Sequence, residues 1–419
     1  MAPNRKQPTV LMIWTRPIDG QRMAGRLRVA IAVREAFRGA AAVREHVMEP
    51  AITEKRLLPM LAALWAWSRS WLLGPLLPLQ CAIYSGRDEI ERAVTAVVPE
   101  IDTIYLDGVR TFALLRELRK KFPDRRIIVD MDDLMSRRLK LLRQDGHPLS
   151  SGHLMMRLPP VLRALSMGAM SRLIVRYEAW TLPAVEAAIT HLADVVVLLS
   201  SEDMRALDGT GPARRETIMP GIGQITKRPA LRPGAVRFIF IGTDALTQNR
   251  LSIDYLLTLW RIQAIEHELV IFGAQTRALM LPRGVSTRGY VKDLSDIYNG
   301  SSVLVSPSFL RGGIKTKVLE AFAHGAPVIG NAATFEAMPL DEYPMRLDNE
   351  HQLLAVLRNP EAHRAALEQS ARIGAAYLAD VHAPGKFTRA WVQTLEMRAN
   401  AEPLGARSEN WVCTSEARG

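Results

Sequence analysis

Cysteine is nearly absent. Only Cys81 and Cys413 occur in 419 residues. Two thiols so far apart make neither a disulfide framework nor a four-ligand zinc site, and a reducing cytoplasm fits them. His147, His153, His191 and His324 include no i,i+4 pair, so no metal set is expected. Zinc-finger, RRM and basic-zipper signatures are missing too, which weighs against nucleic acid as a partner. Long uninterrupted apolar runs are also lacking. "TVLMIW" (9–14) is too short for a signal-peptide core. "RLLPMLAALWAWSRSWLLGPLLPLQ" (56–80) is long enough to span a bilayer, but Arg69 sits near its centre and Pro59, Pro75 and Pro78 break it. Trp65, Trp67 and Trp71 around Arg69 suit a membrane surface or burial in a domain better than a span. The stretch 158–180 spaces Arg163, Arg172 and Arg176 among apolar residues and reads as an amphipathic helix with the same two fates.

What is present is ordinary globular material, 48% hydrophobic and 23% charged, in a length that suits two to three domains. The net charge of +11 is uneven. Residues 1–230 hold 34 Lys and Arg against 24 Asp and Glu, while residues 231–419 hold 20 against 19. The first half therefore carries the surplus that would meet anionic lipid or an acidic substrate.

Strand and helix patterns alternate. Strands are expected at 9–14, 42–48, 80–84, 102–108 and "RRIIVDMDD", with helices at 25–39, 87–98 and after Arg110. A long helical region fills 155–192 and "DVVVLLS" (194–200) is another strand. Residues 224–234 form a linker rich in proline and charge, after which strands at 236–242 and 268–273 restart the alternation. Such alternation implies an α/β protein with two Rossmann-like, doubly wound parallel-sheet domains facing a cleft, with C-terminal helices. The expected division is 1–230, 231–400 and a disordered tail at 401–419.

The densest chemistry lies in "RGGIKTKVLEAFAHGAPVIG" (311–330). It follows the apolar strand "SSVLVSPS" and reads as strand, glycine turn, helix, strand, with Gly325 as the helix stop. Gly312 and Gly313 would let the backbone approach a ligand, and the helix N-terminus with Lys315 and Lys317 favours an anion such as phosphate. Glu320, one turn in, would accept hydrogen bonds from sugar hydroxyls. The spacing is neither Walker A nor Gly-x-Gly-x-x-Gly. The plainer alternative is a tight turn followed by solvated lysines.

Together with "FIFIGTDALTQNRLSIDYLLTLW" and "STRGYVKDLSDIYNGSSVLVSPS", this segment resembles the donor domain of GT-B glycosyltransferases of the family 4 (group 1) type. "GRLR" (25–28), "DMDDLMSRR" (130–138) and "LADVVVLLSSEDMRAL" before "IMPGIG" resemble the acceptor domain more loosely. The resemblance implies a hexosyltransferase that uses a nucleotide-diphosphate sugar as donor substrate, needs no other cofactor, retains anomeric configuration and serves polysaccharide or glycoconjugate synthesis. Lys315 and Lys317 fall where family cations meet the diphosphate, Glu320 where a glutamate holds the ribose, and Gly289, Tyr290 and Val291 at the loop that reads the base. Gly242 closes the first donor strand. A glycan or lipid-linked acceptor, at or near the inner face of the cell membrane, completes the expectation.

Three departures from the family pattern stand out. Gly312 stands where many members carry a glutamate. Thr243 and Gln248 replace an arginine and a lysine, for which Arg250 would compensate. Asp132 takes the place of a histidine. "DMDD" (130–133) has three readings. Asp132 or Asp133 orients or deprotonates an acceptor hydroxyl; Asp133 and Ser136 cap the next helix; or the carboxylates bind Mg²⁺ or Mn²⁺ as in GT-A enzymes. No metal is expected in the GT-B reading. A sugar-nucleotide epimerase, a degenerate GT-B binding partner and a basic nucleic-acid binder are the competing functions.

Overall fold

The computed structural model describes residues 7–19, 25–51, 65, 67–68, 76–144, 169–223, 231–232, 234 and 236–397. Most of the apolar stretch 56–80, residues 158–168, most of the linker and the tail lie outside them. Six strands, β1 (Thr9–Trp14), β2 (Ala42–Val47), β3 (Thr103–Asp107), β4 (Arg126–Asp132), β5 (Val195–Leu198) and β6 (Arg214–Thr217), form a parallel sheet in the order β2-β1-β3-β4-β5-β6. Five more, β7 (Arg237–Ile241), β8 (Leu269–Phe272), β9 (Val285–Arg288), β10 (Ser302–Val305) and β11 (Val328–Ile329), form a second parallel sheet in the order β11-β10-β7-β8-β9. Strands β3, β5, β8 and β10 are buried along their whole length, as parallel strands covered by helices on both faces must be.

Strand order reverses between β1 and β3 in the first sheet and between β7 and β10 in the second. Such reversals open a crevice at the carboxyl ends of the strands, where ligands of α/β sheets bind. The glycine-rich segment follows β10 and so stands at the mouth of the second crevice, while the DMDD segment ends β4, next to β3, and meets the first crevice through Arg26, which contacts Asp107 at the end of β3 as well as Asp130 and Asp132.

Residues 80–84 differ from expectation. They begin with a short helix, Leu79–Ala82, rather than a strand. Pro78 precedes it, and the buried Glu178 accepts hydrogen bonds from the Gln80 backbone N–H (3.1 Å) and side chain (2.6 Å). Glu178, on the helix Ala169–Leu192, thus caps the start of this short helix. Among the described residues no helix is long and apolar enough to cross a membrane.

The chain passes between the domains twice, near 220 and near 382. The buried His382 ties the two crossings: its Nδ1–H donates to the Pro220 carbonyl (2.8 Å), and its own carbonyl accepts from the Ile222 N–H (2.9 Å). Beyond it, the helix Pro384–Glu396 lies on the first sheet, where Phe387, Trp391 and Leu395 join the core of Trp14, Phe37 and Tyr105.

Candidate functional site

The glycine-rich turn after β10 is built as its sequence demands. Gly312 and Gly313 have φ of +88° and +68°, conformations that cost a side-chain-bearing residue strain. A Cβ on Gly313 would stand 2.9 Å from the Asp133 carboxylate oxygens of the other domain, so the turn also needs glycine for closeness. The helix Thr316–Ala323 starts directly after this turn and ends at Gly325 with φ +71°.

Both lysines turn inward. Lys315 Nζ donates to the Gly312 carbonyl (2.6 Å). Lys317 Nζ donates to Asn249 Oδ1 (3.0 Å) and lies 4.1 Å from the centre of the Phe240 ring. Burial pushes Lys317 down to about 7, helped by the like charge of Lys315. Burial and then Arg138 push Lys315 down to about 8. Two desolvated ammonium groups beside one turn are poorly satisfied alone, and an anion would correct that.

The ends of β7, β8 and β9 meet the same spot. Asn249 packs against Gly242 so closely that a Cβ there would stand 2.6 Å from the amide. Gly273 N–H reaches the Gly289 carbonyl at 3.2 Å, and Gln275 donates to the Gly242 carbonyl at 3.1 Å. Gly242, Asn249 and Lys317 are thus linked by direct contacts, as are Lys315, Gly312 and Gly313; the two sets meet where Lys317 feels the charge of Lys315, and Gly289 adjoins Gly242 through Gly273. Arg250 is half-buried at the start of the helix Thr247–Gln263, Tyr290 is exposed, and Val291 packs on the second core.

Glu320 is met from the other domain: Arg28 Nη1 donates to its Oε1 at 2.6 Å across 292 residues of sequence. Burial raises its pKa, while Arg28 and Lys317 hold it down. Two further arginines bridge the cleft. Arg137 spans Asp203 and Glu336, both at 2.9 Å, and Arg138 spans Asp133 (3.2 Å) and Gln248 (3.0 Å). Glu336 also accepts the Gly312 N–H. Gly312 carries no carboxylate of its own, yet a carboxylate is present there, supplied by Glu336.

On the first-domain side, Arg26 lies in a cage of acids. Its Nη2 contacts Asp107 Oδ1 and Asp130 Oδ2 at 2.9 Å each, and its Nη1 stands 3.2 Å from Asp132 Oδ1. Arg16 and Thr15 add contacts to Asp107, and Tyr105 donates to Asp130 at 2.6 Å. Asp132 has φ +67°, left-handed for a non-glycine residue, at a register irregularity in β4. Burial first, with Asp133 and Asp130 nearby, raises its carboxyl to about 7 against the pull of Arg26. Asp132 is thus a partly exposed carboxylate of near-neutral pKa at the mouth of the first crevice, the description of a general base.

Asp133 does not cap the next helix: the Ser136 N–H donates to Glu186 instead (3.0 Å). No group of three or more His, Cys, Asp or Glu side chains among the described residues has the geometry to hold a metal ion. Sequence reading singled out Asp132, Asp133, Lys315, Lys317 and Glu320. It missed Arg26, Arg28, Asn249 and Glu336, whose partners lie in distant segments; "GRLR" gave the one local hint of the first two.

Residues 235–371 match the family model described as Glycosyl transferases group 1. No curated protein matches the chain by sequence. Among solved structures, it is similar to the sucrose-phosphate synthase of Thermosynechococcus elongatus, at 15% identity over 96% of this chain and 100% of that one, with a TM-score of 0.60. It is also similar to Anabaena HepE in complex with UDP and glucose, at 11% identity over 93% and 99%, with a TM-score of 0.56. At these identities the likeness establishes the fold, the two-domain GT-B architecture.

Proposed function

We propose that this chain, which carries a group 1 glycosyltransferase domain at residues 235–371 on a GT-B fold, moves a hexose from a nucleotide-diphosphate sugar to a glycan or lipid-linked acceptor, with retention, in polysaccharide or glycoconjugate synthesis. The observation that carries the reading is the pair of desolvated lysines at the glycine turn of the second crevice. A diphosphate leaving group gains charge as the glycosidic bond breaks, and preorganised cations beside a helix N-terminus stabilise it without reorganisation. HepE, solved with UDP, makes uridine diphosphate the first nucleotide to try.

In this reading Glu320 accepts hydrogen bonds from the ribose beside Arg28. The backbone at Gly289, Tyr290 and Val291 meets the base, and Gly242 and Arg250 border the phosphates. Asp132 takes the acceptor proton, with Asp133 positioning the turn at Gly313.

Binding should take up protons. At pH 8 Lys317, with its empty-site pKa of about 7, is mostly neutral, and Lys315 at about 8 is half charged. A diphosphate raises both values, so each lysine gains proton occupancy on binding and affinity falls as pH rises from 7 to 9. Calorimetry with UDP in two buffers of different ionisation heat should give different apparent enthalpies. A buffer-independent heat would remove the lysines from the phosphate site.

Peripheral membrane contact belongs to the same proposal. The helix Ala169–Leu192 exposes Leu173 and Trp180 beside Arg172 and Arg176, and Trp65 is exposed as well. Apolar side chains among arginines suit an anionic interface. The protein should sediment with phosphatidylglycerol vesicles at low salt and be released at high salt, and Arg172→Glu with Arg176→Glu should abolish this. Indifference to such vesicles would end the membrane part.

A further inference from the structure

The turn that carries Asp132 is held from behind. Asp132 keeps a left-handed φ of +67° at the end of β4, and such a conformation persists only where its surroundings over-determine it. Two carboxylates of the first domain supply this at the start of the helix Met135–Gln144. Glu186 accepts the Ser136 N–H (3.0 Å), and Asp203, on the helix Ser201–Ala206, faces the Leu134 N–H. Neither acid has a part in the roles assigned above.

Asp203 does not stay ionised unaided. It is 1% exposed, and burial and then the charge of Asp133 favour its proton. Arg137 opposes them, with Nη1 2.9 Å from Asp203 Oδ1. The other arm of the same guanidinium leaves the domain: Nη2 donates to Glu336 Oε1 at 2.9 Å, and Glu336 Oε2 accepts the Gly312 N–H. Lys315 Nζ in turn donates to the Gly312 carbonyl (2.6 Å). A Cβ on Gly312 would stand 3.8 Å from Arg137 Nη1, so the arginine also packs against the glycine turn. One planar, rigid group stands between the general-base turn and the phosphate turn, with one arm committed to each.

Filling the phosphate turn disturbs this chain of contacts. A diphosphate draws Lys315 off the Gly312 carbonyl and gives it a full charge, close to Asp133, Glu336 and Asp203, whose charges it already feels. A charged Lys315 favours the ionised forms of Asp203 and Glu336, and so tightens both of the charge-assisted pairs that Arg137 makes.

We infer that Arg137 is a positioning residue for the transfer: through Asp203 on one side and Glu336 on the other, it firms the general-base turn when the phosphate turn is filled. The inference rests on the donor reading above. Hydrogen exchange of the backbone amides of residues 133–139, followed by mass spectrometry with and without saturating UDP, measures the coupling without any acceptor. UDP should slow that exchange about tenfold in the wild type, and change it by less than about twofold in Arg137→Met, with UDP binding kept in calorimetry. Glu336→Gln puts an N–H donor where the bridge needs an acceptor oxygen, and it should uncouple the turn in the same way from the other end. Protection that survives either substitution in a chain that still binds UDP would overturn the inference, as would a wild-type turn indifferent to bound UDP. Loss of UDP binding in Arg137→Met would also overturn it, by making Arg137 part of the donor site itself. A wild type that gives no heat with UDP would instead sink the donor reading, and this inference with it.

Discussion

Lys317→Ala removes the thermal stabilisation that a nucleoside diphosphate gives the wild-type chain, and it lowers transfer by about 10²–10³-fold. A ligand present at 100 times its Kd stabilises the native state by about 2.7 kcal/mol, enough for a clear rise in Tm. Lys317 reaches across to Asn249 and the Phe240 ring, so its amine is in place before any ligand arrives. Alanine removes the amine that a bound diphosphate would protonate and leaves Lys315 as the remaining lysine. The same substitution removes a costly buried ammonium, so the unliganded variant should be no less stable than the wild type. A scan with UDP, GDP, ADP and CMP measures both effects. An unchanged UDP shift in the variant would move the donor site away from the turn, and no shift with any nucleotide in the wild type would favour a GT-B relative that no longer binds donor.

Asp132→Asn separates stability from activity. Asparagine cannot take a proton from an acceptor hydroxyl, and transfer should fall by about 10²–10⁴-fold. Stability should move the other way. The folded-state pKa of about 7 lies above the ordinary aspartate value of 3.8, so from about pH 4 to pH 7 the native chain keeps a proton that the unfolded chain has released. Stability contributed by this group is present at low pH and is lost as pH rises through 7. Asparagine does not ionise, and it tolerates a φ of +67° better than most residues, so the variant should have the higher Tm at pH 8. The surrounding charges set the acid limb of the rate profile. Arg26→Met withdraws the cation that opposes protonation and should shift that limb to higher pH, and Asp130→Asn withdraws a repelling carboxylate and should shift it to lower pH. A profile indifferent to both would take Asp132 out of the reaction.

The parts of the fold that sequence made legible are those set by neighbours along the chain. Buried parallel strands such as "FIFI" and "SVLV" are short β-branched and aromatic runs between turn residues, and the turn at Gly312 is written in adjacent glycines. Lys317 and Glu320 stand three apart in one helix, so they share a face by the period alone, and Lys315 comes with the turn just before that helix. The rest depends on partners hundreds of residues away. Nothing local in "GRLR" says that Arg28 will meet Glu320 or that Arg26 will sit among three aspartates. The short helix at 79–82 reads as a strand until Glu178 is known to cap it. Glu336 reaches the Gly312 amide through the fold of the second domain, which no spacing rule predicts.

The return of the helix Pro384–Glu396 to the first sheet has a consequence for biosynthesis. Trp391 is fully buried against Phe37 and Tyr105, so the amino-terminal half cannot complete its interior until residues 384–396 have left the ribosome. The second half, whose sheet lies wholly within residues 237–329, can finish first although it is made later. Assembly therefore runs against the order of translation. Neither half is a cassette that recombination could exchange cleanly, because any crossover near 230 would pair one protein's first sheet with another's closing helix.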